Sequence, residues 1–305
     1  MVTEFGGGLD SGAGGARRFE LVPLQSGVWS LRKTSNGETF HPVVGPLTEA
    51  RVLHVEQQRL VERNVGLNRR LVVWDVGLGA AANALAVVAA FESNGGEVDL
   101  HSFDLELGPL DFALQHAAEL GYLEGRAEVL RELLAGAAEY PNARPVEAAG
   151  VRWWLHLGDF AALMRDASLL PPDAILYDPY SPASNPEMWC LEHFRAVFSQ
   201  LSDDRPCLWT NYTRSTSIRA ALLLAGFYVG FGRGVGEKDQ TTVASNNPQL
   251  IEQPLDAAWL RRLRASTRGA PQRMLGAGRQ FPGPIDSSDW EALIAHPQFS
   301  GVSGL

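Results

Sequence analysis

Only two cysteines, Cys190 and Cys207, occur among the 305 residues, and they show no metal-ligand spacing. They read as free thiols of a reducing cytoplasm. Basic residues are in deficit, with 26 Lys and Arg against 35 Asp and Glu, and the net charge of -9 argues against a general nucleic-acid coat protein. A local basic site survives that balance, because steering depends on where charges lie. Long apolar runs are also missing. The longest, Leu78 to Phe91, contains Asn83 and is too short to span a bilayer. The N-terminus carries glycines where a secretory peptide needs an apolar core, so residues 1–17 read as a flexible tail. No G-x-x-x-x-G-K-[ST] occurs, which excludes a P-loop, and Ala82 stands where a dinucleotide fingerprint has its third glycine. There is no internal repeat. What is left is a soluble, cytoplasmic protein that calls for neither a membrane nor a metal. Its 45% hydrophobic and 20% charged residues suit one α/β domain with additions.

Period and punctuation organise the chain. Phe19 to Leu24 and Val28 to Lys33 alternate like strands around "QSG", which predicts a hairpin, and "SNGE" at Ser35 to Glu38 predicts a second turn. Leu47 to Arg63 reads as one helix with Leu53, Leu60 and Val61 on its apolar side. Apolar runs at Leu71 to Val76, Val98 to Phe103, Val151 to Leu157, Ala174 to Tyr177 and Cys207 to Thr210 then alternate with helix-like stretches, the pattern of right-handed crossovers in a parallel sheet. Phe227 to Phe231 and Thr241 to Ser245 flank a glycine-rich connection with no room for a helix, so this pair must be antiparallel. The expectation is a doubly wound, Rossmann-like α/β fold: a seven-stranded, mostly parallel sheet with one antiparallel strand. A hairpin and helix extension (18–66) precedes the main domain (67–250), and a helix near Asp256 to Arg264 with a Pro/Gly-rich tail (251–305) follows it.

Polar chemistry collects at the predicted strand ends. After the first strand come Gly77 and Gly79, which let backbone approach a ligand at a helix N-terminus; a G-x-G can equally be a plain tight turn. The second strand ends at Asp104, with Glu106 just beyond. Either carboxylate can accept ribose hydroxyls or be a solvated loop acid. The third ends in Gly158 and Asp159, the latter a helix cap or a partner for an adenine amino group. The fourth ends at Asp178, where "DPYSPASNPEMW" leaves the sheet as a loop stiffened by Pro179, Pro182 and Pro186. Four successive strand ends of this kind point to an adenosyl ligand lying across the sheet edge.

The loop "DPYSPASNPEMW" resembles the "D-G-F-A-P-x-x-N-P-x-M-W" signature of the methyltransferase half of the MnmC family, bacterial tRNA-modifying enzymes, and of related stand-alone proteins. "DVGLGAAAN" is similar to that family's "E-x-G-F-G-T-G-x-N", "LTEARVLHVE" to its "L-x-E-x-R-Y-V-F", and "EKDQTTVAS" to the closing strand of stand-alone members. The resemblance covers Gly37 to Ser245. It implies a class I S-adenosylmethionine-dependent methyltransferase fold, S-adenosylmethionine as cofactor, and methyl transfer to the primary amine of 5-aminomethyl-2-thiouridine at the tRNA wobble position. Carried over by position, Glu49, Gly77, Gly79, Asn83, Asp104, Glu106, Gly158, Asp159 and Asp178 are the expected cofactor set. Asp178 and Tyr180 are the expected catalytic pair, and Pro179, Tyr180, Asn185 and Lys238 would face the acceptor. Ala80 and Ala81 replace the family's usual Thr and Gly, while Pro179 and Tyr180 give "DPY" a likeness to the "[D/N]-P-P-[Y/F]" motif of amino-methyltransferases. No flavin oxidase domain is expected, since nothing remains after Leu305 to build it.

The chemistry such an enzyme needs is modest. A sulfonium methyl is already activated, so alignment and exclusion of water do most of the work, but the attacking amine must be neutral. Asp178 can take a hydrogen bond or proton from the ammonium while Tyr180 walls the base pocket; the plainer alternative is an Asx turn at Asp178 and simple packing at Tyr180. Arg261, Arg262, Arg264, Arg268, Arg273 and Arg279, with Trp259 and Phe281 nearby, form a basic stretch interleaved with aromatics. Arg261 and Arg264 lead the expected phosphate contacts to tRNA, against the alternative of a solvated helix face. An amino-methyltransferase for a small molecule or protein, and a non-catalytic S-adenosylmethionine-binding module, remain as rivals. Oligomeric state is left open.

Overall fold

The computed structural model describes residues 18–41, 44–137, 144–236, 238–275, 278–279 and 283–300. The expected N-terminal tail and Phe281 lie outside them. Strands β1 (Phe19–Pro23) and β2 (Trp29–Lys33) form the antiparallel hairpin anticipated around "QSG", with Leu21 opposite Leu31.

The single helix expected over Leu47 to Arg63 is instead three pieces. Helix α1 (Pro46–Ala50) runs into a π-helical turn, Arg51–Glu56, and α2 (Leu60–Asn64) restarts after Arg59 at φ 52. Buried polar contacts override helix propensity here. His54 Nδ1 lies 2.8 Å from Thr210 Oγ1, and Gln58 Nε2 donates to Thr210 Oγ1 at 2.7 Å and to the Ile175 carbonyl at 3.0 Å. Bringing both side chains onto the sheet requires the wider turn, a typical use of a π-bulge. Leu53 and Leu60 are buried and Val61 partly so, as the pattern predicted.

The remaining elements follow in order: β3 (Leu71–Val76), α3 (Ala82–Asn94), β4 (Val98–Asp104), α4 (Gly108–Gln115), α5 (Ala117–Leu120), α6 (Ala127–Ala137), β5 (Val146–Ala148), β6 (Val151–Leu157), α7 (Phe160–Leu163) and β7 (Ala174–Tyr177). Then come α8 (Leu191–Phe198), β8 (Leu208–Asn211), α9 (Thr216–Leu224), β9 (Tyr228–Val235), β10 (Lys238–Ser245), α10 (Ala257–Ala265), the two-residue pair β11 (Met274–Leu275) and β12 (Gly278–Arg279), and α11 (Ser287–Ile294). The main sheet has eight strands in the order β5-β6-β4-β3-β7-β8-β10-β9. Strand β10 is antiparallel to both its neighbours, as expected. The eighth strand, β5, is an addition to the seven anticipated. It pairs antiparallel with β6 across Ala149 (φ 50) and Gly150 (φ 81), two positive-φ residues of the kind a type I′ hairpin demands.

Residues of β3 alternate between two cores. Leu71 and Val73 face α1, α3 and α6, while Val72, Trp74 and Val76 face α8 to α11. Both faces are therefore covered, as parallel strands require. The C-terminal segment is less of a tail than expected: Leu255, Trp259, Leu263, Ile285, Leu293 and Phe299 enter the second core, and α11 starts at an Asp286 N-cap whose carboxylate accepts the Asp289 amide at 2.8 Å. From β3 the chain builds one way through β4 and β6 and the other way through β7 and β8, so the crevice beyond the carboxyl ends of β3 and β7 is the topological switch point. No helix among the described residues is long and apolar enough to cross a membrane.

Candidate active site

The crevice begins at the glycine turn. Gly77 has φ +91, and a Cβ built there would lie 2.7 Å from the Asp178 carbonyl oxygen and 3.0 Å from Pro179 Cα. Glycine at this position lets the ends of β3 and β7 press together. Gly79, at φ +53, meets nothing within 4 Å of an added Cβ and so presents bare backbone to open space. We expect Gly77→Ala to destabilise the fold by about 3 kcal/mol or more in denaturant melts, since backbone must move, and Gly79→Ala by about 1 kcal/mol, its conformational strain alone. Equal losses would contradict this geometry.

Beyond the turn lies a cavity of about 450 Å³, within the usual range for small-molecule sites, about 300–1,000 Å³. Glu49, Gly77, Gly79, Asn83, Asp104, Glu106, Gly158, Asp159, Asp178, Pro179, Tyr180 and Asn185 all line it. The structure thus brings together residues spread over 137 positions of sequence, from 49 to 185. Arg261 and Arg264 are not among the lining residues; both are exposed on α10, and the Arg264 guanidinium lies 5.1 Å from the Trp290 ring centroid. Arg273 is tied to Asp289 at 2.6 Å. Lys238 opens β10, and its side chain, like that of Arg279, lies outside the described residues.

Two acids were left open at the end of β4, and their surroundings differ. Asp104 accepts the Gly79 amide at 2.8 Å and the Glu106 amide at 3.1 Å, and burial raises its pKa. Glu106 reaches outward to Arg18 and, at 3.4 Å, to Lys33 of the hairpin. Asp159 does cap α7, accepting the Ala161 amide at 3.2 Å. Beneath the turn, Asp75 is fully buried, with Ser102 Oγ donating to Oδ2 at 2.7 Å and Oδ1 without a hydrogen-bond partner among the described residues. Burial lifts its pKa to about 8, so it sits protonated at neutral pH.

Asp178 is held from two sides. Asn83 Nδ2 donates to its Oδ2 at 3.0 Å, and His41 Nε2 lies 3.7 Å from the same oxygen. The other ring nitrogen of His41 is 3.8 Å from Glu49 Oε2, and Glu49 Oε1 accepts the Val44 amide at 3.1 Å. The loop after Asp178 owes its order to the hairpin extension as well as to proline. Glu38 accepts the Ser181 amide at 2.7 Å and Ser184 Oγ at 2.6 Å; Trp189 Nε1 donates to the Tyr180 carbonyl at 2.8 Å and Tyr177 Oη to the Met188 carbonyl. The Tyr180 ring is flanked by Lys33 Nζ at 4.3 Å and Phe40 at 5.7 Å, while its hydroxyl is buried without a hydrogen-bond partner among the described residues. Burial raises its pKa. Glu38 and His41 escaped the sequence reading. The only local signal was their place in "GETFHPVVGP", a Gly- and Pro-bracketed run just before "LTEAR".

Comparison with known proteins bears on this site. Residues 127–247 match a family described as S-adenosyl-L-methionine-dependent methyltransferase. The chain is 29% identical over 230 residues to the tRNA 5-methylaminomethyl-2-thiouridine biosynthesis bifunctional protein MnmC of Methylibium petroleiphilum, an alignment covering 73% of this chain and 34% of that protein. It is 30% identical over 214 residues to the MnmC of Ralstonia nicotianae, covering 68% and 32%. It spans about a third of the length of these curated relatives. The crystal structure of MnmC2 from Aquifex aeolicus superposes with a TM-score of 0.65 at 25% identity, over 91% of this chain and 83% of that one. A glycine turn at the switch point of this sheet, the matched family and the likeness to MnmC2 agree: the chain is an S-adenosyl-L-methionine-dependent methyltransferase of class I fold, similar to the MnmC proteins over their methyltransferase part.

Proposed function

We propose that the protein methylates the primary amine of the 5-aminomethyl group on a wobble (2-thio)uridine of tRNA, in the cytoplasm. The observation that carries this is Asp178: a carboxylate lining the cavity at the end of β7, fixed by Asn83, beside a half-buried aromatic ring at Tyr180. The printed names of the MnmC relatives supply the acceptor class.

The residues present fit S-adenosylmethionine. Bare backbone at Gly79 leaves room that a side chain would fill, and Asn83 Oδ1 is a buried acceptor without a hydrogen-bond partner among the described residues. Asp104 is the better candidate for the ribose, being locked to the glycine turn while Glu106 is engaged by Arg18 and Lys33. Glu49 would hold the far side of the cofactor. Bound there, the cofactor supplies a sulfonium methyl, whose C–S bond breaks as the C–N bond forms, the electron pair staying on sulfur. Asp178 orients the amine and lowers the cost of deprotonating it, and Tyr180 with Pro179 and Asn185 walls the nucleobase. Arg261 and Arg264 are proposed phosphate contacts for tRNA outside the cavity, with Lys238 in a similar role.

The deciding experiment is incubation with tRNA from cells lacking the modification, followed by nucleoside mass spectrometry. A gain of one methyl on the aminomethyl group is expected. Gly79→Val, folded by circular dichroism, is expected to bind S-adenosylhomocysteine at least tenfold more weakly and to leave the nucleoside unchanged, because its side chain projects into the cavity. Wild-type protein that binds S-adenosylhomocysteine but leaves the tRNA unmethylated would overturn the acceptor.

A further inference from the structure

An alkylammonium and a carboxylate are poorly matched as proton donor and acceptor. At reference values the amine of a lysine titrates near 10.4, an aspartate near 3.9 and a histidine near 6.5, so imidazole is the stronger base by about 2.6 units, roughly 400-fold. The structure puts an imidazole beside Asp178. His41 Nε2 lies 3.7 Å from Asp178 Oδ2 and Nδ1 lies 3.8 Å from Glu49 Oε2, and all three residues line the cavity. Both carboxylates are themselves anchored, Asp178 by Asn83 and Glu49 by the Val44 amide. The nearby titratable groups behind them carry no opposing charge at neutral pH. Asp75 is protonated, its pKa lifted by burial to about 8, and His54, fully buried, is neutral, its pKa lowered by burial and then by His41 to about 3.

We propose that His41 is the proton relay of the methyl transfer, an inference that rests on the proposed methylation of a primary amine. One N–H proton of the acceptor ammonium passes to the Asp178–His41 couple and resides on the imidazole, now an imidazolium between two carboxylates. The electron pair of that N–H bond stays on nitrogen and attacks the methyl group. The product leaves as a secondary ammonium, and His41 gives up its proton from the Nδ1 side, past Glu49, to solvent. Two ring nitrogens facing two different carboxylates let a proton enter at one and leave at the other.

His41 has φ 45, a conformation that glycine adopts without strain, so His41→Gly removes the ring and keeps the backbone. We expect kcat to fall about 100-fold, within the range general acid–base groups supply, while S-adenosylhomocysteine affinity stays within about threefold. Added imidazole should restore at least tenfold, in proportion to its neutral form; a larger residue, as in His41→Gln, should leave no hole to rescue. A loss under threefold, or one that imidazole does not restore, overturns the relay. A second readout needs no acceptor. In the S-adenosylhomocysteine complex, the NMR titration of the His41 ring should move to lower pH in Asp178→Asn and again in Glu49→Gln, and a curve unmoved by both also overturns it. Should wild-type protein leave the tRNA unmethylated, the acceptor assignment fails while this titration still decides the role of His41.

Discussion

Asp178→Asn should lower kcat by about 10²- to 10⁴-fold, the span that a positioned acid–base group supplies, while the Kd for S-adenosylhomocysteine changes less than about threefold. The substitution is close to isosteric, and its amide oxygen can still accept from Asn83 Nδ2, now 3.0 Å from Asp178 Oδ2. The loop should hold its course, because Glu38, Trp189 and Tyr177 pin it at Ser181, Tyr180 and Met188. What disappears is the negative charge that favours loss of the ammonium proton. Single-turnover kinetics at saturating cofactor separates the two quantities. Turnover surviving within twofold would make Asp178 a structural loop residue.

Stability should peak between about pH 6.5 and 7 and fall on both sides, for opposite reasons. Burial lowers the pKa of His54 and His101 to about 3 and of His156 and His193 to about 4, with a lesser lowering contribution to His101 from His156. Below about 6.5 the unfolded chain binds protons that these neutral side chains refuse, so each costs up to about 1.4 kcal/mol per pH unit as pH falls from 6.5 toward its folded value. Asp75 works the other way. Burial, with smaller contributions from Asp178 and Asp104, holds its proton to about pH 8, whereas the unfolded carboxyl loses it near 4. Its penalty therefore grows as pH rises from about 4 to 8. Between 4 and 6.5 the histidines together outweigh one aspartate, so stability increases with pH. From 6.5 to 8 only the Asp75 loss remains among these groups, about 2 kcal/mol in all. Urea melts across pH 4 to 9 test this. Asp75→Asn should flatten the alkaline side and steepen the rise between about pH 4 and 6.5, where the aspartate no longer offsets the histidines; an unchanged alkaline slope would show that Asp75 is ionised in the fold.

The strands at Leu71–Val76 and Ala174–Tyr177 were legible to the residue, because a strand buried on both faces writes itself as a nearly unbroken apolar run, and Val151–Leu157 was legible through alternate apolar residues, Val151, Trp153 and Leu155, that enter the core. The antiparallel return of β10 was legible too, since a short glycine-rich connection leaves no alternative. Less visible was β5, three residues long, whose only signal was the pair Ala149 and Gly150 at positive φ. The break in the helix after Ala50 had no local signal either, because the groups that demand it, Thr210 and the Ile175 carbonyl, lie more than 100 residues away. Arg261 and Arg264 form a basic stretch in one dimension, and the fold sets both on the exposed side of α10, which supplies no residue to the cavity lining.

By itself the sequence determined the sheet, the glycine turn and the carboxylates at successive strand ends, since each of these follows from local period, backbone freedom or position at the end of an apolar run. Tertiary structure alone decided which of those acids meet and what state they are in. Asp104 joins the glycine turn because parallel pairing of β3 with β4 sets their ends side by side. Asp75 keeps its proton because both faces of the sheet are covered above and below it. Glu38 reaches Ser184 across 146 positions, and His41 reaches Asp178 across a similar gap, only because the hairpin extension folds back over the switch point. No periodicity records such contacts: a side chain's neighbours across the sheet edge depend on where the chain returns, and that is set by packing of the whole molecule.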